Sequence, residues 1–553
     1  MKRIFNNTWS VLTNQERKKF TLQVILDILI SLADIVFLVA LLWIINFYIQ
    51  PETIKRISSL PGWLMKTDIV LLISVFVLLF AIKNIAAYFI LRAHFTFTSR
   101  VAVRLSANSL DRYLRADFDK FIHTDSSAWI RSIALQPFDF AQQVLSSFQQ
   151  VIAQLILITI TVLAILLFNA KLFLLLLLIL VPGVILVFFF IRKRLSKIKR
   201  DLRNNNERSY QYLLDTLKGY VEANVYQRQD FFLNRFIRYR QQFSSNLFAS
   251  ISLQNLPGRV IEIFAITGLF ILVLIAEWTG NTSQNTLITI GAFMAAAYKI
   301  IPGMVKLVNL SGQIKAYEFS TEELKPVTGY EKKVSVASQA NIHSLEFKNV
   351  SFRYGVKNIL KELSFSAAKG DLLGIYGESG IGKTTIMNLV LGFLEPASGD
   401  ILINNTAINS EMRQQFWPAI AYARQQSFFI YDTIEKNITL QEDRPDETKL
   451  AYALKVSGLD RLITGFPEGL QKIISENGKN ISGGQQQRII LARAIYKDAD
   501  LLLLDEPLNE LDDPSSAWIL EQLKELSNKG KIIIMITHDK KSLAYCHKII
   551  SID

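Results

Sequence analysis

Residues 151–168 and 172–191 form two apolar runs without a charged residue, separated only by Asn169, Ala170 and Lys171. The first belongs to an expected span over 144–168 and the second is a span in itself, each near the ~20 residues that a helix needs to cross a bilayer. Lipid offers no hydrogen bonds to a bare backbone, so such runs are restricted to helices, here a tight hairpin of two. Four further runs have comparable length: 22–48, 69–91, 260–278 and a weaker one at 287–308, which Pro302 and Gly303 interrupt. Buried helices of a soluble core fit the uncharged runs poorly. Of the 553 residues 50% are hydrophobic, and the mean hydropathy is +0.25, both in keeping with six spans.

The net charge of +13 allows either nucleic acid or a membrane surface as partner. Its location decides for the membrane. Arg17, Lys18 and Lys19 precede the first run, and Arg192, Lys193, Arg194, Lys197, Lys199 and Arg200 follow the fourth. Basic clusters at the ends of spans mark the cytoplasmic edge. The loops 92–143 and 192–257 are long and basic, whereas 49–68, 169–171 and 279–286 are short. Six spans with long basic loops inside put both termini in the cytoplasm. Residues 1–19 are then a cytoplasmic N-terminal segment and 20–315 a transmembrane domain. Leu105, Leu110, Tyr113 and Leu114 recur at near-helical spacing, as do Leu213, Leu214 and Leu217, so the long loops read as helices continuing into the cytoplasm. With one cysteine, Cys546, no internal disulfide exists, and a structural thiol is expected.

Asp27 and Asp34 fall inside the first span and Lys83 inside the second. Counted from the outer ends, Asp34 and Lys83 both lie about 21 Å inward at 1.5 Å per residue. Two arrangements are open: a pair across the first hairpin, or separate contact with an aqueous cavity.

Residues 316–341 are a polar linker, and 342–553 read as a soluble α/β domain. Expected strands at 344–352, 372–376, 419–423, 501–504 and 531–536 alternate with helices, which argues a mainly parallel, covered sheet. Between the second of these and a helix lies Gly377-Glu378-Ser379-Gly380-Ile381-Gly382-Lys383-Thr384-Thr385. Strand, glycine loop and helix together form a phosphate cradle: backbone N–H groups close on phosphate oxygens, Lys383 reaches the terminal phosphates, and Thr384 ligates Mg²⁺. The apolar strand 501–504 ends in Asp505 and Glu506. There Asp505 is suited to hold Mg²⁺ and Glu506 to polarise an attacking water.

Ile481-Ser482-Gly483-Gly484-Gln485-Gln486-Gln487-Arg488 resembles the signature motif of the ATP-binding cassette (ABC) superfamily, with Ile for the usual Leu. By that resemblance Ser482, Gly483, Gly484 and Gln485 bind the γ-phosphate of an ATP held by a second cassette. Other elements then resemble the family in order. Tyr354 looks like the aromatic that stacks on adenine, and Gln425 like the Q-loop glutamine that contacts Mg²⁺ and meets the membrane domain. Glu476, Asn477 and Gly478 resemble the exporter X-loop. Asn509-Glu510-Leu511-Asp512 sits where the D-loop lies, but reads NELD rather than SALD. His538 resembles the switch histidine at the γ-phosphate. Turns near 119–128 and 219–226 resemble coupling helices.

The resemblance implies a multidomain fold: an all-α six-helix transmembrane domain followed by an α/β P-loop cassette. It implies an exporter-type half-transporter of a bacterial inner membrane, using ATP and Mg²⁺, with Glu506, His538 and Gln425 catalytic. The expected partner is a second copy, with a heterodimer left open, and no nucleic acid. Alternatives are a soluble ABC ATPase of DNA repair or translation, an importer, and a membrane-anchored regulator or ATP-gated channel. Lipids, lipid-linked oligosaccharides, peptides and drugs all remain open as substrates.

Overall fold

A computed structural model describes residues 2–49, 69–116, 118–168, 198, 201–202, 204–278, 300, 302–315, 317–324, 341–355, 357–378, 380–426, 428–475 and 478–552. The chain divides into two compact units, Met1–Ala116 with Phe121–Gly329, and Asp117–Lys120 with Tyr330–Asp553.

The first unit is helical. Its labelled helices are α1 (Lys2–Val11), α2 (Asn14–Ile49), α3 (Ile69–Leu114), α4 (Ser146–Phe168), α5 (Gln229–Trp278) and α6 (Glu318–Glu323). Among the described residues, three stretches are long and apolar enough to cross a membrane: Asn14–Phe37, Ile73–Leu114 and Ser126–Leu163. The expected span 260–278 is the end of α5. The span 172–191 and residues 287–299 of the last span lie outside the described residues. At 46 and 50 residues, α3 and α5 reach about 69 and 75 Å, well beyond a hydrocarbon core of about 30 Å. The continuation of the spans as helices, expected from Leu105 and Leu110, is therefore observed for α3. Short helices Ser126–Ile130 and Tyr220–Val225 stand at the two expected turns.

Apolar residues of α1, α2, α3 and α4, among them Ile4, Phe20, Val101 and Phe148, form one buried cluster with Ile314. Arg104 of α3 forks onto Glu16 of α2 at 2.7 and 2.8 Å and also donates to the Val11 carbonyl. Such bidentate pairs fix orientation as well as adding energy. Helix α6 lies inside the stretch expected as linker, yet it packs in the helical unit. Ser320 and Thr321 are fully buried, Arg3 pairs with Glu322 at 2.5 Å, and Gln136 donates to Glu323.

The second unit holds β1 (Ser344–Tyr354), β2 (Lys357–Ala368), β3 (Leu372–Gly377), β4 (Ser398–Ile403), β5 (Thr406–Ala407), β6 (Ile420–Ala423), β7 (Asp432–Thr433), β8 (Ile473–Ile474), β9 (Leu501–Asp505), β10 (Ile532–Ile536) and β11 (Lys548–Ile552). Helices α7 (Lys383–Val390), α8 (Gly483–Tyr496) and α9 (Asp513–Asn528) follow β3, β8 and β9. One sheet is parallel, in the order β11-β3-β10-β9-β6. The strand expected at 344–352 does not join it. As β1 it sits in a second, antiparallel sheet, β2-β1-β4-β5. Only a tight turn separates β1 from β2, and a turn that short joins antiparallel neighbours only; parallel ones need a long crossover. Burial agrees, since β9 and β10 are buried at every position while β1 has exposed ones.

Gly374 shows how closely this sheet is covered. A Cβ there would lie 2.7 Å from Leu543 and 2.8 Å from Cys546 Sγ. Burial pushes the Cys546 thiol up to about 11, which leaves it a packing residue, as expected.

In the membrane hairpin Lys83 Nζ donates to Asp34 Oδ1 at 2.5 Å, joining α2 to α3. The ammonium also lies 4.7 Å from the Phe80 ring centroid. Of the two open arrangements the pair is the one observed. Asp27 is also partnered, accepting from Gln149 Nε2 of α4 at 2.7 Å. Removing one member of a pair inside the membrane leaves the other's charge without its partner. Asp34→Asn and Lys83→Met are each expected to lower the melting temperature in detergent more than the double variant does. Additive losses would show that the pair contributes no coupling.

Candidate active site

The parallel sheet brings the carboxyl ends of β3, β10, β9 and β6 side by side, where open α/β sheets hold their ligands. From β3 the chain enters the glycine loop and then α7. Gly382 has φ +113° and caps that helix. A Cβ on it would lie 2.5 Å from Ile359 Cγ2, and the left-handed backbone would be strained for any other residue. Gly377 is confined too, since a Cβ there would meet the Ile552 carbonyl at 2.7 Å. Lys383 is 7% exposed and donates to the carbonyls of Gly377, at 2.6 Å, and Glu378, at 3.3 Å. Thr385 is buried and Ile381 half-buried, so they anchor the loop from below, while Glu378 and Gly380 are exposed. Ser379 lies outside the described residues. Tyr354, at the end of β1, sits edge-on to Phe352 at 4.8 Å and stays 48% exposed, so it offers surface for a planar ring.

At the end of β9 two carboxylates diverge. Asp505 is 3% exposed and accepts from the Thr384 hydroxyl at 3.2 Å and from the Tyr422 hydroxyl at 3.5 Å. Burial raises its carboxyl above the usual range, with the neighbouring Glu506 adding to the shift. Burial likewise raises the Tyr422 phenol, with Asp505 second. A buried carboxylate facing two hydroxyls is short of positive charge, and these hard oxygens suit Mg²⁺.

Glu506 turns the other way. Its φ of +53° is rare for a residue with a side chain, and its backbone N–H donates to the Ile536 carbonyl at 3.1 Å. Gln425 Nε2 donates to Glu506 Oε2 at 2.7 Å, Asn509 Nδ2 donates to the same oxygen at 2.5 Å, and His538 Nδ1 lies 3.5 Å from Oε1. Gln425 follows β6 and His538 follows β10. Residues from three separate loops thus meet on one carboxylate.

The turn 482–485 opens α8 with a reciprocal cap. Gln485 N–H donates to the Ser482 hydroxyl at 3.4 Å, and the Ser482 N–H donates to Gln485 Oε1 at 3.0 Å. Its glycines are pressed by the following loop: a Cβ on Gly483 would lie 2.7 Å from Glu510 Oε2, and one on Gly484 2.9 Å from the Glu510 carbonyl. The Ser515 hydroxyl holds the exposed Asp512 carboxyl below its usual range. Glu476 and Asn477 lie outside the described residues. Sequence reasoning missed Tyr422, which no motif marks, and gave Asn509 only a place in a loop.

Residues 360–509 match the family described as ABC transporter, and residues 20–297 match ABC transporter transmembrane region. The chain belongs to the ABC transporter family. It is 29% identical over 349 residues to a probable ABC transporter ATP-binding/permease protein of Haemophilus influenzae, an alignment covering 62% of each chain. It is 27% identical over 477 residues to an ATP-dependent lipid A-core flippase of Burkholderia orbicola, covering 83% of this chain and 79% of that one. A flippase of the same description from Cupriavidus pinatubonensis is 25% identical over 473 residues, covering 82% and 78%. The solved structure of a bacterial Atm1-family ABC exporter with ATP bound matches with a TM-score of 0.78 at 19% identity, covering 98% of this chain and 94% of that chain; the likeness is one of fold. This ABC transporter is therefore an integral membrane protein that couples an ATP-hydrolysing cassette to a helical membrane domain. The expected parallel cassette sheet and helical membrane domain are both present.

Lys383→Ala removes an ammonium from the loop and is expected to weaken ATP binding by at least about tenfold. Gly382→Ala forces a side chain into the left-handed region and against Ile359, a strain of about 1–3 kcal/mol. It is expected to lower both the melting temperature and the affinity. Titration with a fluorescent ATP analogue measures both variants, and unchanged affinity in either would show that the loop does not cradle phosphate.

Proposed function

We propose that this ABC transporter is one half of a dimeric exporter or flippase, with a second copy as its partner. Each chain supplies one phosphate loop and one signature turn. Each ATP would lie between the loop of one cassette, with Tyr354 against the adenine, and the turn Ser482–Gln485 of the other. A lone chain would then be nearly inactive. The basic loops 92–143 and 192–257 support cytoplasmic termini in a bacterial inner membrane.

The observation that carries the reading is the gathering of Gln425, His538 and Glu506 beside the Thr384–Asp505 pair. Glu506 Oε1 would take a proton from water as the water oxygen bonds to the γ-phosphorus and the bond from that phosphorus to the ADP oxygen breaks. His538 would touch the γ-phosphate. Thr384, Asp505 and Gln425 would hold Mg²⁺, which when bound supplies shielding of the phosphate charge. Closing of two cassettes on ATP would drive the membrane helices, and hydrolysis would reset them.

A lipid is the proposed substrate class. The relatives described as lipid A-core flippases support it over peptides and drugs. The hairpin's charges also support it: Asp27 and Asp34 are both partnered within the protein, which leaves them poorly placed to bind a cationic drug.

Glu506→Gln keeps the phosphate contacts but loses the acceptor for the proton. It is expected to bind ATP, to trap a stable dimer and to hydrolyse below a tenth of the wild-type rate. Faster turnover, read as phosphate release from protein in liposomes, would remove Glu506 from its role. In the same liposomes a lipopolysaccharide core lipid is expected to stimulate hydrolysis where peptides and cationic drugs do not. Stimulation by the latter alone would overturn the substrate class.

A further inference from the structure

Asn509 stands where the family's usual loop carries serine, and its contact with Glu506 gives the departure a use. We infer that Asn509 is a positioning residue for hydrolysis: its carboxamide, together with that of Gln425, fixes Glu506 Oε2 and leaves Oε1 to face the water. The inference rests on the reading of Glu506 as the group that polarises that water.

A carboxylate only accepts hydrogen bonds, and each of its oxygens has two lone pairs. Oε2 receives Gln425 Nε2 at 2.7 Å and Asn509 Nδ2 at 2.5 Å, so both of its places are taken. Rotating the group to exchange its oxygens would break both bonds at once. Oε1 is the remaining oxygen and lies toward His538, at 3.5 Å. The two donors come from different loops, one after β6 and one after β9, so the grip does not depend on a single segment. Asn509 reaches its partner because the left-handed backbone of Glu506 folds the chain back within three residues. Hydrogen bonds to charged groups are among the stronger ones, and a water attack needs its base held in one orientation.

Asn509 itself is exposed and belongs to no core, so changing it leaves the fold in place. Asparagine and aspartate share one shape. Aspartate has no N–H to donate and would set a second negative charge against Glu506. A purely structural residue at this exposed position would tolerate that exchange, whereas a positioning donor would not.

The test measures kcat and KM for ATP on the full-length protein in liposomes, for Asn509→Ala, Asn509→Asp and Glu506→Gln. Melting temperatures check folding. The expected result is a kcat about tenfold down in Asn509→Ala and lower still in Asn509→Asp, with KM within about twofold of wild type in both. Combining Asn509→Ala with Gln425→Ala is expected to cost more than the two single losses multiplied, because the last donor on Oε2 is then gone. The inference is overturned if Asn509→Asp turns over as fast as Asn509→Ala, or if KM rises in proportion to the fall in kcat. A Glu506→Gln variant that still hydrolyses ATP would instead overturn the role of Glu506, so the two failures are distinguishable.

Discussion

Two carboxylates in succession, Asp505 and Glu506, end a strand that is buried at every position. Neighbouring like charges in a low dielectric repel, and Glu506 adds to the rise that burial causes in the Asp505 carboxyl. The chain relieves this by sending them apart. Asp505 continues the strand and stays under the phosphate loop against Thr384, whereas Glu506 breaks into a left-handed backbone and swings toward Gln425, Asn509 and His538. The separation divides the chemistry between a group suited to a cation and a group suited to a proton. The rest of the cassette serves this divergence. In the parallel order β3-β10-β9-β6 the end of β10, with His538, lies between the glycine loop and the acid pair, and β6 delivers Gln425 from the other side.

How much of this is legible in the sequence depends on how local each signal is. The spans at 22–48 and 69–91 lie within the longer helices α2 and α3, and the strand 501–504 is β9 but for its last residue; each is a local apolar run. The apolar pattern of 344–352 marks a strand but does not say which sheet it joins. Pairing is decided by the turn to β2 and by β4, neither of which has an unbroken apolar run. The edge strand β11, with exposed residues along it, left no run to find. Tyr422 and Asn509 matter through what they touch in space, and no spacing rule reaches from residue 422 to 505. The depth count for Asp34 and Lys83 succeeded because a helix in a bilayer is nearly a ruler, with rise per residue and span length both fixed.

The helical unit uses its polar residues differently. Arg104 holds Glu16, Gln149 holds Asp27, Lys83 holds Asp34, and Gln136 and Arg3 hold the acids of α6. Each contact joins helices that are distant in sequence. In an apolar surround, packing alone tolerates sliding of one helix along another, because one leucine contact resembles the next. A polar pair tolerates much less, since a shift of one turn leaves both groups unpartnered. These contacts therefore set the register of the helices.

Two lysines, one half-buried and one buried, make the distinction between structure and function concrete. The Lys83 side chain is 11% exposed and Lys383 is 7% exposed, so neither ammonium is well hydrated. Lys83 meets a carboxylate, and the charges cancel within the protein. The hydrogen-bond acceptors of Lys383 among the described residues are the neutral carbonyls of Gly377 and Glu378. Those dipoles solvate the ammonium without neutralising it, so a net positive charge persists at the loop. Asp505 is its counterpart, a buried carboxylate whose direct partners are hydroxyls. A fold that needed only stability would have paired such groups or replaced them with apolar ones. Neither Lys383 nor Asp505 has a direct hydrogen bond to a group of opposite charge among the described residues, which suits the pair to the phosphates and cation proposed for this site. Burial alone thus says little about a charged residue, and the charge of its partner says which use the fold makes of it.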